Sequence, residues 1–246
     1  LSKPIIEKIF PHFQEFCIYG GYPRVIQAEK GEDKELVLRN IYNTYFLKEV
    51  KEILNLPEDH KLSKLIQALA LRPGNLTNYN ELSLTTGFSY KELINYLNVL
   101  EKTYITIPSR PFYTKKRTEL VNNPKIFFWD NGLRNWVIKN FQPIKERPDK
   151  GWLYENFIAS ELAKKEIVVK YWRTKSKAEV DFIVEKNGTV IPIEIKSNLQ
   201  QSAVSPSFSS FMEKYKPKKG IILSERHTAE RDNIQFQPIF TIGRVV

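Results

Sequence analysis

Three residues late in the chain have the types and spacing to do chemistry: Asp181, Glu194 and Lys196, within E-V-D-F-I-V-E-K-N-G-T-V-I-P-I-E-I-K-S from Glu179 to Ser197. Asn187-Gly188 stands between two alternating, β-branched runs, which predicts a hairpin closed by a two-residue type I′ turn. If Lys186 pairs with Thr189, counting back sets Asp181 opposite Glu194 and Glu179 opposite Lys196. Strand side chains alternate, so Asp181, Glu194 and Lys196 share a charged face, and Val180, Phe182, Val184, Ile191, Ile193 and Ile195 share an apolar one that forms core. Carboxylates opposed in this way lie about 5 Å apart at Cβ. At an effective dielectric near 20 they repel by on the order of 3 kcal/mol. The pair therefore calls for a cation, and Lys196 and a divalent metal are the two candidates.

The elements that must position these groups follow from the surrounding pattern. Trp152 to Lys165 predicts a helix in which Glu155 falls on the stripe of Ile158, Ala159 and Leu162, so a carboxylate sits on an apolar face. It is either an edge residue, solvated or paired with a lysine, or it points over the sheet toward Asp181 and Glu194. Ile167 to Arg173 predicts a strand, Phe208 to Tyr215 a helix, Gly220 to Ser224 a buried strand and Ile239 to Ile242 a last one. Strands and helices interleaved like this predict an α/β sheet with helices on its faces.

A helical acid, then Asp, then Glu-x-Lys after a hairpin resembles the PD-(D/E)xK nuclease superfamily over residues 150–246, on Glu155, Glu179-Val180-Asp181 and Glu194-Ile195-Lys196. The resemblance implies a restriction-endonuclease-like mixed sheet flanked by helices. At such a site Asp181 and Glu194, with the main-chain carbonyl of Ile195, would hold Mg²⁺ (or Mn²⁺), with Glu155 as a further ligand. Lys196 would orient the attacking water or steady developing charge, and the reaction would be phosphodiester hydrolysis. The alternative is that Lys196 simply neutralises the acids and no metal binds.

Before this stretch, residues 1–19 read as short helical pieces broken at Pro4 and Pro11, and a long helix follows from Lys34 to about Leu54. Residues 1–60 form a helical lid or linker segment. Residues 61–140 resemble a winged helix: a helix from Lys61, a helix from Tyr79 to Thr86, a turn at Gly87-Phe88, and a helix from Ser89, whose capping box with Glu92 pins its start. Two strands, Tyr104–Pro108 and Lys125–Trp129, enclose a basic loop in which Arg110, Lys115, Lys116 and Arg117 would meet nucleic-acid phosphates. The outward residues of the last helix (Lys91, Glu92, Asn95, Asn98, Glu101) are mixed in charge, so DNA contact and protein contact both stay open. Residues 139–150, polar and with two prolines, read as a linker.

G-G-Y-P-R at Gly20, P-K-I-F-F-W-D-N-G-L at Pro124, G-W-L-Y-E-N-F at Gly151, Y-W-R at Tyr171 and E-V-D-F at Glu179 occur in that order and resemble domain of unknown function 4143, over almost the whole chain. In that family an AAA-type ATP-binding core precedes such a segment. These 246 residues contain no G-x-x-x-x-G-K-[S/T] phosphate loop, so ATP would act only through a missing N-terminal ATPase domain of the parent chain. The first residue is Leu and the chain opens in mid-helix, which suggests a fragment. Asn131 stands where the resemblance expects Thr, Asp130 reads as a helix cap, and Arg24 as a candidate nucleotide-sensing residue.

A formal charge of +10 favours an acidic partner, with DNA the leading one and a protein partner the other; a basic surface serving solubility alone is the bland reading. The single cysteine, Cys17, excludes a disulfide framework and a Cys-based zinc site. The three histidines are scattered and lack ligand spacing. No apolar run reaches membrane length and no secretory leader is seen, so the expectation is a cytoplasmic chain with no membrane contact.

Overall fold

The computed structural model describes residues 1–54, 60–113, 123–186, 188–199 and 201–245. The protein is α/β, built on a mixed eight-stranded sheet of order β2-β1-β3-β4-β5-β6-β8-β7. The strands are β1 (Thr106–Pro111), β2 (Lys125–Phe128), β3 (Lys170–Arg173), β4 (Glu179–Lys186), β5 (Thr189–Lys196), β6 (Gly220–Ser224), β7 (Ala229–Arg231) and β8 (Ile234–Pro238). The sheet runs unbroken through both parts of the chain, because β1 pairs in parallel with β3 at Arg110↔Lys170 and Pro111↔Tyr171.

The N-terminal part is helical: α1 (Lys3–Tyr19), α2 (Pro23–Gln27), α3 (Gly31–Ile41), a π-helical turn Tyr42–Leu47, α4 (Lys48–Leu54), α5 (His60–Leu71), α6 (Tyr79–Thr86) and α7 (Tyr90–Lys102). Pro4 and Pro11 do not break α1 as expected. Pro4 lies in the first turn, where the missing N–H is unneeded, and Pro11 sits inside the helix. Burial of Phe10, Phe13 and Cys17 in the main core outweighs its lost hydrogen bond. The capping box of α7 forms from Ser89 and Glu92 as its sequence predicts, and α6 is capped by Asn78, which accepts from Glu81 N–H. Gly87, at φ +73°, ends α6 in the left-handed conformation.

Beyond β2 come α8 (Asn131–Val137), α9 (Lys150–Ala163), α10 (Pro206–Tyr215) and α11 (Ile242–Val245). Asp130 does cap a helix. One carboxylate oxygen accepts from Leu133 N–H at 2.9 Å and the other from Gly21 N–H at 2.7 Å, so the G-G-Y-P-R turn is fastened to the W-D-N-G-L turn. Gly132 is required here, since a Cβ would collide with the Tyr19 carbonyl. The expected strand at Ile239–Ile242 is instead a 3-10 turn leading into α11, and the last strand is β8. Pro238 cannot donate to a ladder, and Ile239 and Ile242, three apart, both bury in the core.

Segment 139–150 carries a buried polar network. Arg134 and Arg147 both bind Asp149, at 2.5 and 2.8 Å, and Asn135 accepts from both guanidiniums while donating to the Cys17 and Ile18 carbonyls. Arg134 also donates to the Ala70 carbonyl at the end of α5. Burial alone would raise the Asp149 carboxyl, but hydrogen bonds from Arg147 and Arg134, and their charges, bring it down to about 2.

Both faces of the sheet are covered. Phe182, Val184, Ile191 and Ile193 pack in a cluster with α9, while Val180, Ile183, Phe208 and Phe211 form another with α10. The expectation of one core face and one charged face is thus corrected, as is the placing of Val180 with Phe182. β4 carries an extra residue against β3: Lys170 pairs with Ile183 and Trp172 with Val180. This bulge resets the alternation on β4 between Val180 and Ile183, at Asp181 and Phe182.

Candidate functional site

The β4–β5 hairpin has the expected register, from Lys186↔Thr189 to Phe182↔Ile193, and Gly188 has the positive φ (+72°) that a type I′ turn demands. Asn187 lies outside the described residues. The recorded ladder stops one pair short of Asp181 and Glu194. There the Asp181 Oδ2 accepts from Ile195 N–H at 2.8 Å. Glu194, only 5% exposed, receives Lys196 Nζ at 2.8 Å on one oxygen and Ser205 Oγ at 3.0 Å on the other. Ser205 also caps α10 by accepting from Phe208 N–H. Lys196 therefore shares a face with Glu194, as expected. Glu179 does not meet Lys196; it is bound instead by Lys125 and by Arg173.

Four consecutive residues of α9 fan out around the helix and account for the Y-E-N-F motif. Tyr154 donates to Glu225 at 3.0 Å, and Phe157 packs edge-on against Phe13. The Asn156 amide acts as a substitute peptide group on the outer edge of β2, accepting from Phe128 N–H at 2.6 Å and donating to Phe128 O at 3.0 Å. Glu155, half-buried, points at the sheet beside the Gly74 turn, where a Cβ on Gly74 would lie 2.9 Å from its carboxylate.

Sequence reasoning missed Lys125. It opens β2, is 3% exposed, and reaches Glu179 Oε1 at 2.5 Å with its ammonium 5.3 Å from the centre of the Tyr171 ring. Tyr171 in turn donates to the Asn123 carbonyl at 2.9 Å, bracing the backbone just before Lys125. The available signal was a lysine starting a strand whose following residues, Ile126 to Phe128, are all apolar and buried.

Electrostatics tie the acids together. Burial raises the Glu155 carboxyl, and Asp181 raises it further, while Lys125 pulls it back. Burial also raises Asp181; Lys125 and the Ile195 N–H oppose this, and Glu194 and Glu179 add to it. Asp181 is thus the common neighbour of the helical acid and the Glu-x-Lys strand. The structure brings Glu155, Asp181, Glu194 and Lys196 to one end of the β4–β5 hairpin. The donor set is all carboxylate oxygen, which fits a hard cation such as Mg²⁺ or Mn²⁺. Among the described residues no three acids already converge closely enough to hold an ion, so loading one requires side-chain movement.

Of the basic residues expected to contact phosphates, Arg110 is exposed on β1, in a groove of about 500 Å³ that α7 lines with Lys91, Ile94, Asn95 and Asn98. Lys115, Lys116 and Arg117 lie outside the described residues. Arg110 opens to the α7 side of the sheet. Ser109, opposite Lys125 on the ladder, faces the other way, so Arg110 and Lys125 stand on opposite sides of the sheet. No helix among the described residues is long and apolar enough to cross a membrane.

Fold and site together define a mixed α/β-sheet protein with a cluster of carboxylates and lysines at the open end of a hairpin. The chain belongs to the family described as domain of unknown function 8612, which matches residues 11–143. Domain of unknown function 4143 is found at residues 150–242, a narrower extent than the motifs suggested. Residues 144–149 lie between the two matches. Similar proteins include an uncharacterized protein of Haemophilus influenzae, 25% identical over 203 residues (80% of this chain, 48% of that protein). Another is an uncharacterized protein of Mycobacterium tuberculosis, 27% identical over 184 residues (72% and 41%). The chain spans less than half the length of these relatives. No solved structure matches it.

Proposed function

We propose that this chain is the DNA-acting, metal-dependent nuclease-like portion of a larger AAA-type ATPase, with phosphodiester hydrolysis as its reaction. The observation that carries the reading is the placement of Asp181 between Glu155 on α9 and Glu194-Ile195-Lys196 on β5. In this reading residues 150–246 act as a PD-(D/E)xK domain, residues 61–140 as a winged helix, and residues 1–60 as a lid toward the ATPase core, the only place where ATP would bind.

Asp181 and Glu194 would hold Mg²⁺ or Mn²⁺, with Glu155 as a further ligand. The ion, when bound, supplies charge that polarises a phosphate and acidifies a water. Lys196, held 2.8 Å from Glu194, is placed to orient that water and to donate toward developing negative charge. Arg110, with Lys115, Lys116 and Arg117, contributes phosphate contacts that hold the duplex without reading sequence.

The direct test is incubation of plasmid and single-stranded DNA with the protein in Mg²⁺ or Mn²⁺, beside Asp181→Ala. Metal-dependent cutting that disappears in the variant is expected; cutting absent from both, or equal in both, sinks the nuclease reading. A second reading is favoured by Lys196, whose ammonium already neutralises Glu194: a catalytically silent module that binds DNA or a protein on behalf of the ATPase. It predicts DNA affinity that falls steeply with salt but no cutting, or no DNA affinity where the partner is a protein.

A further inference from the structure

On the side of the sheet away from Lys125, α7 lies across β1 and leaves a groove of about 500 Å³, within the range of small-molecule sites. A turn at residues 103–105 folds β1 back along α7, so the last turn of the helix stands beside the start of the strand. Glu101 and Thr106 therefore mark one end of the groove. Lys91 and Arg110 mark the other, where Tyr90 meets Tyr79 edge-on with ring centres 5.3 Å apart. Glu101 is the one acid among the lining residues, and Lys91 and Arg110 are the cations. The groove is thus positive at one end and negative at the other, with Ile94 and Pro108 as apolar flanks between them.

The floor of this groove carries an unmet hydrogen bond. Thr106 is 1% exposed and its hydroxyl, among the described residues, has no partner. Alternation along β1 puts Thr106, Pro108 and Arg110 on the groove side, while Ile107 enters the main core on the other. Thr106 and Arg110 lie about 13 Å apart along the strand. A buried hydroxyl left unpaired is unfavourable, and a ligand whose polar edge reaches the floor satisfies it. No hydrogen bond or ion pair among the described residues holds the side chains of Lys91, Asn98, Glu101 or Arg110, so all four are free to meet that ligand. A peptide fits poorly, because β1 is already paired with β2 and β3 and offers a sheet face without an open ladder.

We propose that the groove holds one unpaired nucleotide, with its phosphate at Lys91 and Arg110, its base between Ile94 and Pro108, and the hydrogen-bonding edge of that base on Thr106, Asn98 and Glu101. Glu101 accepts from an exocyclic amino group, so cytosine and adenine are preferred to thymine. The edge read at the floor is the one that a partner base covers in a duplex, so only an unpaired base enters. In a strand, the neighbouring base stacks on Tyr90, which is 62% exposed. A free nucleotide and an unpaired stretch of a strand share the rest of this chemistry, and Tyr90 separates them. The inference rests on the nucleic-acid reading of Arg110 given above and needs no metal.

The test is calorimetric titration of the chain at neutral pH, with chelator present, using dCMP, oligo-dC, oligo-dT and a hairpin duplex. Oligo-dC should bind about fivefold more tightly than oligo-dT, and Thr106→Val and Glu101→Ala should each weaken oligo-dC about fivefold, the scale of one hydrogen bond. Thr106→Val should leave the unfolding midpoint unchanged or raised, since it deletes an unsatisfied group, which separates lost binding from lost fold. Glu101→Ala, at an exposed position, keeps the question answerable if Thr106→Val does not fold. Oligo-dC binding that exceeds dCMP binding and falls to it in Tyr90→Ala assigns the groove to a strand; equal binding of the two assigns it to a free nucleotide. Equal affinity for oligo-dC and oligo-dT, indifference to both groove variants, or binding of the duplex alone overturns the groove site and leaves the DNA reading standing. No binding of any of the four removes the DNA reading and this inference with it.

Discussion

Two regions of this protein bury charge, and they do so in opposite ways. Around Asp149, one carboxylate is matched by two guanidiniums and a side-chain amide, and its pKa is driven down to about 2. Around Asp181, Glu179 is bound by Lys125 and Arg173 and Glu194 by Lys196, while burial pushes Glu155 and Asp181 up. The first is a finished ion-pair network that joins α1, α5, α8 and α9. The second leaves two of its carboxyls raised instead of settled. A fold gains nothing in stability from the second arrangement, and this is why it reads as a site and the first as a clasp.

The comparison can be broken most severely at Asp149. Asp149→Ala leaves two buried guanidiniums uncompensated and should cost about 3–5 kcal/mol, read from the shift of the denaturant midpoint. No comparable loss is expected from Glu155→Gln in metal-free protein.

Dependence on pH sharpens the contrast, because the signs are opposite. The folded pKa of Asp149 is depressed, so its contribution, about 2 kcal/mol, is full above the unfolded value near 4 and is lost as pH falls toward 2. Glu155 has a raised folded pKa, so the folded state holds a proton that the unfolded state releases. Its contribution is full at and below the ordinary glutamate range and is lost as pH rises from there through neutrality. Unfolding midpoints across a pH series, with chelator present, should show Glu155→Gln removing the decline on the alkaline side while leaving the acid limb intact. An unchanged alkaline limb would count against a proton-holding Glu155.

The smallest effect lies outside both regions. Ser89→Ala removes half of an exposed capping box and should cost about 1 kcal/mol by the same midpoint measurement, with no change in Mn²⁺ binding.

Much of this was legible where the signal is local. Asn187-Gly188 set the register of Lys186 with Thr189, and Ser89 with Glu92 marked the start of α7, because turns and caps are decided within a few residues. Glu155 was visible as a carboxylate on an apolar stripe. Lys125 was not. It lies 54 residues from Glu179 in sequence, and nothing near either residue reports that β1 joins β3. The bulge at Asp181 was hidden for a related reason, since it is defined only against β3. Ile239–Ile242 looked like a strand by composition, and spacing across a fixed core made it a turn and a helix. Pro11 looked like a break, and the aromatic residues on either side of it held the helix together.

The way strand edges are finished has a consequence for how the chain must be made and cleared. β3 is covered on its outer row by β1 from the preceding segment, and the outward peptide group of β2 at Phe128 is covered by the Asn156 side chain from the following one. Each segment thus supplies what keeps the other from offering bare amides to a stranger. Severed near residue 145, the two pieces would each carry an adhesive border, so synthesis and turnover of the two family segments are safest as a single event.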